Sequence, residues 1–193
     1  IAKAQRQRLT RKRKEAQMRG ATAKRRLRIE RQTFLEDGAE QEVGAVTKRD
    51  LWLIGTALYW AEGSKEKEYR PGSGVQFGNS APEMINVFLW WLKHICHVAS
   101  NQIWFVWYLD ENHRSRTPDV IKYWSGKISV SPEAFDRVYY KKGNIKTKRR
   151  NSTIENYFGL VRIRVARSSS LLRKITGWTR GIVKNSKNHC RVV

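Results

Sequence analysis

The polar and apolar positions of this chain separate a charged N-terminal arm from a body in which helix and strand patterns alternate. Residues 1–32 carry thirteen Lys or Arg against Glu15 and Glu30, with too few apolar residues for a core stripe. Good helix formers dominate this segment and no proline interrupts it. We therefore predict a mobile or partly helical arm that becomes ordered on a polyanion, joined by an acidic stretch to the rest of the chain at residue 46.

The most apolar segment begins at Asp50 and ends at Gly63. Thr47 is the expected N-cap of a helix here, with Asp50 at its third position. Apolar residues occupy nearly every side of this helix, which is typical of a helix in a core or between two subunits. Glu62 lies at the C-terminal end, where the helix dipole opposes an anion, so we expect a cation beside it. Gly63 is expected to end the helix in the left-handed conformation.

Further helices are predicted where serine or threonine precedes a proline. Ser80, Thr117 and Ser131 are the expected N-terminal residues of two helices and one short helical turn. The serines at 168–170 precede a last helix, which we expect to end at Gly177. A basic tail, predicted to be disordered, occupies residues 183–193.

The predicted element order is α–β–β–α–β–α–β–β–α, in which the first hairpin strand is left open and the other four strands are assigned to residues. Residues 75–78 alternate as a half-buried strand, residues 103–109 suit a central strand buried on both faces, and residues 138–140 open a third. In the fourth, residues 161–165, the β-branched side chains point one way while Arg162 and Arg164 point the other. Arginines on an open sheet face suit either DNA binding or a solvated surface.

The order of these elements predicts an α+β fold, in which helices cover one face of an antiparallel sheet. The other face, with Arg162, Arg164 and Gln76, stays free. A basic loop precedes the last strand and is expected to be flexible, because like charges repel one another without an anion. The predicted organisation is an arm at 1–46, a domain at 47–182 and a tail at 183–193.

Composition favours a nucleic-acid partner. The chain has 193 residues, a formal net charge of +22 and a pI near 10.5. No apolar run approaches the roughly 20 residues needed to span a bilayer, and no signal-peptide pattern is present, so no membrane partner is expected. Cys96 and Cys190 form no Cys-x-x-Cys pair, which argues against a disulfide scaffold. A cytoplasmic, nucleoid-associated protein is the resulting prediction.

Three segments together resemble the LAGLIDADG homing endonucleases and their non-catalytic relatives. The apolar helix ends in Ala61-Glu62-Gly63-Ser64, and segments 75–80 and 82–92 resemble that family's strand, turn and second helix. The resemblance covers residues 48 to 182 and depends on spacing and element order more than on letters. It also implies a helix-turn-helix module ahead of the basic arm, which the first residue, Ile1 rather than Met, would suit.

The resemblance implies a function for the central helix. A single copy of the motif implies a homodimer joined through that helix and a roughly palindromic DNA target. Glu62 would be the catalytic carboxylate and the metal ligand, with Mg²⁺ as cofactor. A nearby cation would assist, and Lys65, Lys67 and Lys142 are candidates, Lys65 being the nearest in sequence to Glu62. The fold also serves regulators that have lost cleavage, so it does not decide whether the protein is an enzyme.

Three functions remain open at this stage. The first is double-stranded DNA binding by a LAGLIDADG-like homodimer, the second is Mg²⁺-dependent cleavage through Glu62, and the third is RNA or ribosome association, which the arm and the aromatic residues favour. The candidate nucleic-acid contacts are the basic residues of the arm, loop and last strand, with one glutamine: Arg11, Arg13, Arg25, Arg26, Gln76, Lys141, Lys142, Lys146, Lys148, Arg149, Arg150, Arg162 and Arg164.

Overall fold

The computed structural model describes residues 2–67, 69, 72–142 and 157–189. Two compact units divide the chain, Ile1–Val46 and Thr47–Val193. The first unit is one helix, α1 (Ala2–Val43), in which every residue is exposed. It is about 63 Å long at 1.5 Å per residue. The arm is therefore helical from residue 2 to residue 43, where the sequence predicts a mobile or partly helical segment. Two exposed ion pairs four residues apart, Arg11–Glu15 and Arg26–Glu30, lie along it.

The second unit has an α+β fold, as the sequence predicts. Its elements are α2 (Lys48–Glu62), β1 (Gln76–Asn79), α3 (Pro82–His94), β2 (Ile103–Asp110), α4 (Thr117–Ile128), β3 (Phe135–Lys141), β4 (Leu160–Val165) and α5 (Ser169–His189). Short 3-10 helices occupy Ser100–Gln102, Glu111–Arg116 and Pro132–Ala134. No helix in the described parts of the chain is both long enough and apolar enough to cross a bilayer.

The four strands form one sheet in the order β1-β4-β2-β3. β4 pairs antiparallel with β1 and β2, but β2 pairs parallel with β3. The prediction of an antiparallel sheet is therefore wrong for the β2–β3 pair. The reason lies in the connection: α4 separates the two strands, and a crossover through a helix lets the second strand run in the same direction as the first.

One face of the sheet forms the core together with the helices. Its buried side chains are Phe77, Phe105, Trp107, Leu109, Val161, Ile163 and Val165, and they share a single apolar cluster with buried residues of α2, α3, α4 and α5. Because strands alternate side chains between faces, the buried set confirms the alternation predicted for β1 and β4. On the opposite face, which the helices of this unit do not pack against, Trp104, Tyr139 and Arg164 are exposed.

Several helix ends differ from their predictions. Gly63 is extended (φ −72°) rather than left-handed, although Thr47 and Asp50 do form the predicted capping box. Ala81 rather than Ser80 precedes α3, and Asn79 Oδ1 accepts from the Ala81 N–H instead.

The other two differences concern α4 and α5. Thr117 is the first residue of α4, because a 3-10 helix runs directly into it. α5 continues through Gly177 to His189, because Trp178 packs edge-on against Trp52 and Trp91 and so joins the core that holds the helix.

Candidate nucleic-acid interface

The uncovered side of the sheet, called the open face below, combines cations with aromatic residues. The registers of the paired strands put the following residues on this face: Gln76, Gly78, Trp104, Val106, Tyr108, Asp110, Arg137, Tyr139, Lys141, Leu160, Arg162 and Arg164. Four are cationic and one is anionic. The carboxylate of Asp110 accepts from the Asn112 N–H (3.0 Å), which caps the following 3-10 helix.

Arg162 is held in a fixed position on this face. Its Nη1 donates to the Tyr108 hydroxyl (2.9 Å), and its guanidinium carbon lies 4.6 Å from the centre of that ring. Gly78 is its neighbour on β1, and a Cβ there would make only ordinary van der Waals contact with Arg162 Nε, at 3.6 Å. A guanidinium ordered before binding loses less side-chain entropy when it contacts a ligand.

Arg164 belongs to a row of three residues that crosses the sheet. It pairs with Gln76 on β1 and with Trp104 on β2. Arg164 is exposed, and no hydrogen bond or ion pair from the described residues holds its guanidinium. Trp104 is 48% exposed. The three residues line a depression of about 310 Å³, whose other lining residues include Ser73, Val106 and Arg137.

A second aromatic group lies towards the other end of β2. Tyr108 and Tyr139 stack with their ring centres 5.4 Å apart, and Lys141 Nζ lies 4.7 Å from the centre of the Tyr108 ring. Tyr139 is 42% exposed. Cations beside aromatic faces are the combination that nucleic-acid surfaces use for phosphates and bases.

The predicted contact residues are divided among three places. Arg162, Arg164, Gln76 and Lys141 come together on the open face, and exposed Lys142 directly follows β3. Four arm residues lie on α1 in the other unit, all exposed: Arg11, Arg13, Arg25 and Arg26. The remaining basic loop residues lie outside the described residues: Lys146, Lys148, Arg149 and Arg150.

Four further members of this face are not among the residues predicted from the sequence: Trp104, Tyr108, Arg137 and Tyr139. A usable signal exists for β3, in which Arg137, Tyr139 and Lys141 alternate with Val138 and Tyr140. For β2 the signal is weak, since both sets of alternating side chains are apolar or aromatic and alternation alone does not say which set is buried.

The end of α2 places the predicted catalytic residues differently. Lys65 Nζ donates to Trp60 O (2.6 Å), so its charge satisfies the carbonyl end of the helix. Glu62 is exposed and forms no ion pair with any described residue. The Tyr59 hydroxyl donates to Ser64 O (2.6 Å), and burial raises the pKa of Tyr59 to about 12, which keeps it a donor.

A complete metal site is not found at this position. Within the described residues, no three His, Cys, Asp or Glu side chains come close enough together to hold a metal ion. Glu62 would therefore supply one carboxylate per subunit. Mg²⁺ is commonly held by one or two carboxylates together with substrate phosphates, so a single carboxylate suits it only if DNA and a second subunit complete the ligand set.

Comparison of the chain with protein-family models, with curated proteins and with solved structures yields no match.

Proposed function

We propose that this protein binds double-stranded DNA through the open face, as a homodimer of LAGLIDADG-like fold, with α1 as an additional contact to the DNA backbone. The observation that carries the proposal is the open face itself, where Arg137, Lys141, Arg162 and Arg164 share one uncovered side of a sheet. The net charge of +22 supports it, since contacts with phosphates supply much of the affinity for DNA.

The two central strands of the open face support the same proposal. Base edges in the major groove of B-form DNA are contacted by side chains of the kinds that these strands carry. β4 and β2 are paired at the middle of the sheet, and they carry Arg162, Arg164, Trp104 and Tyr108. Arg164 is placed to contact a base edge or a phosphate, while Arg162, tied to Tyr108, offers a fixed cation beside it.

Dimerisation is supported by the second side of α2. Gly55, Thr56 and Tyr59 are buried within the subunit, but the opposite side leaves an exposed apolar stripe. Its members are Leu53, Ile54, Ala57, Trp60 and Ala61. An exposed apolar stripe of this kind, on the helix that ends in Glu62, suits pairing with a second copy of the same helix.

Replacing Arg164 tests the proposal. We expect Arg164→Ala to weaken binding to a duplex selected from a random library by about 1–3 kcal/mol, or to lower the salt slope by about one if the contact is to phosphate. Lys122→Ala on α4 removes the same charge from an exposed helix position and is the matched control. Fluorescence anisotropy at several salt concentrations measures both quantities. Equal losses in the two variants would contradict a specific role for the open face.

RNA association is the competing function, and the same assay separates the two. Structured RNA added at equal salt is expected to displace the duplex poorly. If RNA displaces the duplex at lower concentration than unlabelled duplex does, the protein is an RNA binder and the proposal fails.

Cleavage is a second candidate because Glu62 is exposed and has no ion-pair partner among the described residues. Mg²⁺, when bound there, would activate water and stabilise the leaving oxygen. Adding Mg²⁺ to the selected duplex tests this: breaks made by the parent chain and absent with Glu62→Gln would establish a nuclease. Binding without breaks would leave a protein that only recognises DNA.

A further inference from the structure

We propose that the depression beside Trp104 receives one nucleobase that has left the stack of a DNA strand, so that the protein prefers DNA with an unpaired base. The inference deepens, and rests on, the proposed binding of DNA by the open face. It is carried by four residues that line the depression: Trp104, Arg164, Gln76 and Ser73.

The exposed indole of Trp104 can stack only on a base whose face is free. In a B-form duplex the bases cover one another's faces, and the grooves present only base edges. An exposed tryptophan face is suited to stacking on a base, and this requires a base outside the duplex stack. Trp104 is 48% exposed on a sheet whose other aromatic residues on the same side, Tyr108 and Tyr139, already stack on each other.

Polar groups surround the Trp104 indole and can contact the edge of a base. Gln76 Nε2 donates to Ser73 O (3.1 Å), which fixes the amide at the rim and leaves its Oε1 without a hydrogen bond from the described residues. Arg164 lies between Gln76 and Trp104 in the sheet and adds donors that no described residue uses. An amide and a guanidinium together offer the donors and acceptor that a base edge needs.

The Ser73 hydroxyl beside this amide is buried and has no hydrogen-bond partner among the described residues, which is unfavourable for a hydroxyl. Because its oxygen is out of contact with solvent, a ligand in the depression does not reach it, and Gln76 and Arg164 supply the polar contacts to a base.

The size of the depression agrees with one base. Its volume of about 310 Å³ is large enough to hold one nucleobase. Val106, buried at the centre of the same face, contributes an apolar surface among its lining residues. A single aromatic ring with polar groups at its edge therefore fits both the volume of the depression and the residues that line it.

Comparing a matched duplex with the same duplex carrying one bulged thymidine tests the inference. We expect the parent chain to bind the bulged DNA about 5- to 150-fold more tightly, the range for stacking one base on an aromatic ring. Trp104→Ala should reduce the ratio of the two affinities to about one, whatever its effect on the matched duplex, and Trp104→Phe should keep part of the preference. Trp90→Ala is the matched control, because Trp90 is an equally exposed indole on α3 (54%).

The outcomes separate this inference from the proposed function. Equal binding of matched and bulged DNA, or a preference that survives Trp104→Ala, overturns the base site and leaves duplex binding standing. Failure to bind either DNA overturns both. Tighter binding of a bulged RNA duplex than of the bulged DNA overturns the choice of DNA as the ligand.

Discussion

Cys96 lies half-buried at the end of α3, packed against the apolar core. Burial raises the pKa of its thiol to about 12, against a smaller opposite effect of the Lys174 charge. The thiolate is the nucleophile, so a raised pKa makes a cysteine unreactive. This single residue thus offers a direct test of packing at the end of the core.

We predict that Cys96 in the folded protein reacts with iodoacetamide at pH 8 about a thousandfold more slowly than in the unfolded chain, where a thiol titrates near 8.5. The effect holds below about pH 9 and is lost as the pH rises towards the folded pKa. Mass spectrometry of the Cys96 peptide measures the rate, and the same sample in denaturant is the control. Rapid labelling at pH 8 without denaturant would show that Cys96 is exposed to solvent and is not packed against the core.

Individual residues of the candidate interface were predictable to different degrees. Arg162 and Arg164 alternate with β-branched neighbours, and alternation fixes the face of a residue once one face is known to be buried. Trp104 gave no such signal because its strand is apolar on both sides. Lys65 is one of the candidate cations for Glu62 in the sequence, whereas in the structure its ammonium donates to the end of α2, and this depends on the geometry of the turn.

At the scale of elements, Gly55 sets how closely α2 approaches α3. A Cβ at this position would overlap Trp91 Cγ, well inside any real contact. Trp91 is fully buried and is held by neighbouring rings, Phe88 at 5.2 Å and Trp178 at 6.1 Å between ring centres. The indole therefore has little freedom to move away.

We predict that Gly55→Ala lowers the free energy of unfolding by about 2–3 kcal/mol, because overpacking outweighs the helix propensity that alanine adds. Gly177→Ala on α5 is the matched control: no atom lies within 4 Å of its added Cβ, so it should stabilise by about 1 kcal/mol. Urea unfolding followed by tryptophan fluorescence gives both values. A neutral or stabilising Gly55→Ala would mean that α2 and α3 are further apart than described.

Elements were predicted better than their ends and connections. Local signals located each α-helix and strand of the second unit: apolar periodicity for α2, α3 and the strands, and the serine, threonine and proline start signals for α4 and α5. The direction of β3 depends instead on α4 crossing between two strands, and no local pattern specifies it. The length of α5 likewise depends on Trp178 reaching Trp52 across the molecule, which overrides the glycine at 177.

At the scale of the whole molecule, the exposed apolar stripe of α2 and the positive open face belong to the same unit. Trp60 is 48% exposed, Ile54 40% and Leu53 36%, all on the side of α2 that its own subunit leaves uncovered. If two copies pair through the apolar stripe of α2, the dimer carries two open faces. The two faces could then bind two half-sites on the same DNA.

We predict that the parent chain sediments at twice its mass of 22.6 kDa and that Ile54→Glu sediments as a monomer. A charge at the centre of an apolar interface loses its hydration without gaining a partner, so association should weaken strongly. Ile54 lies outside the apolar core cluster, so the circular dichroism and unfolding midpoint of the variant should stay unchanged. Trp90→Glu, an equally exposed apolar position on α3, should remain dimeric. A monomeric parent chain, or a dimer that survives Ile54→Glu, would rule out α2 as the joining helix and leave each open face to bind DNA alone.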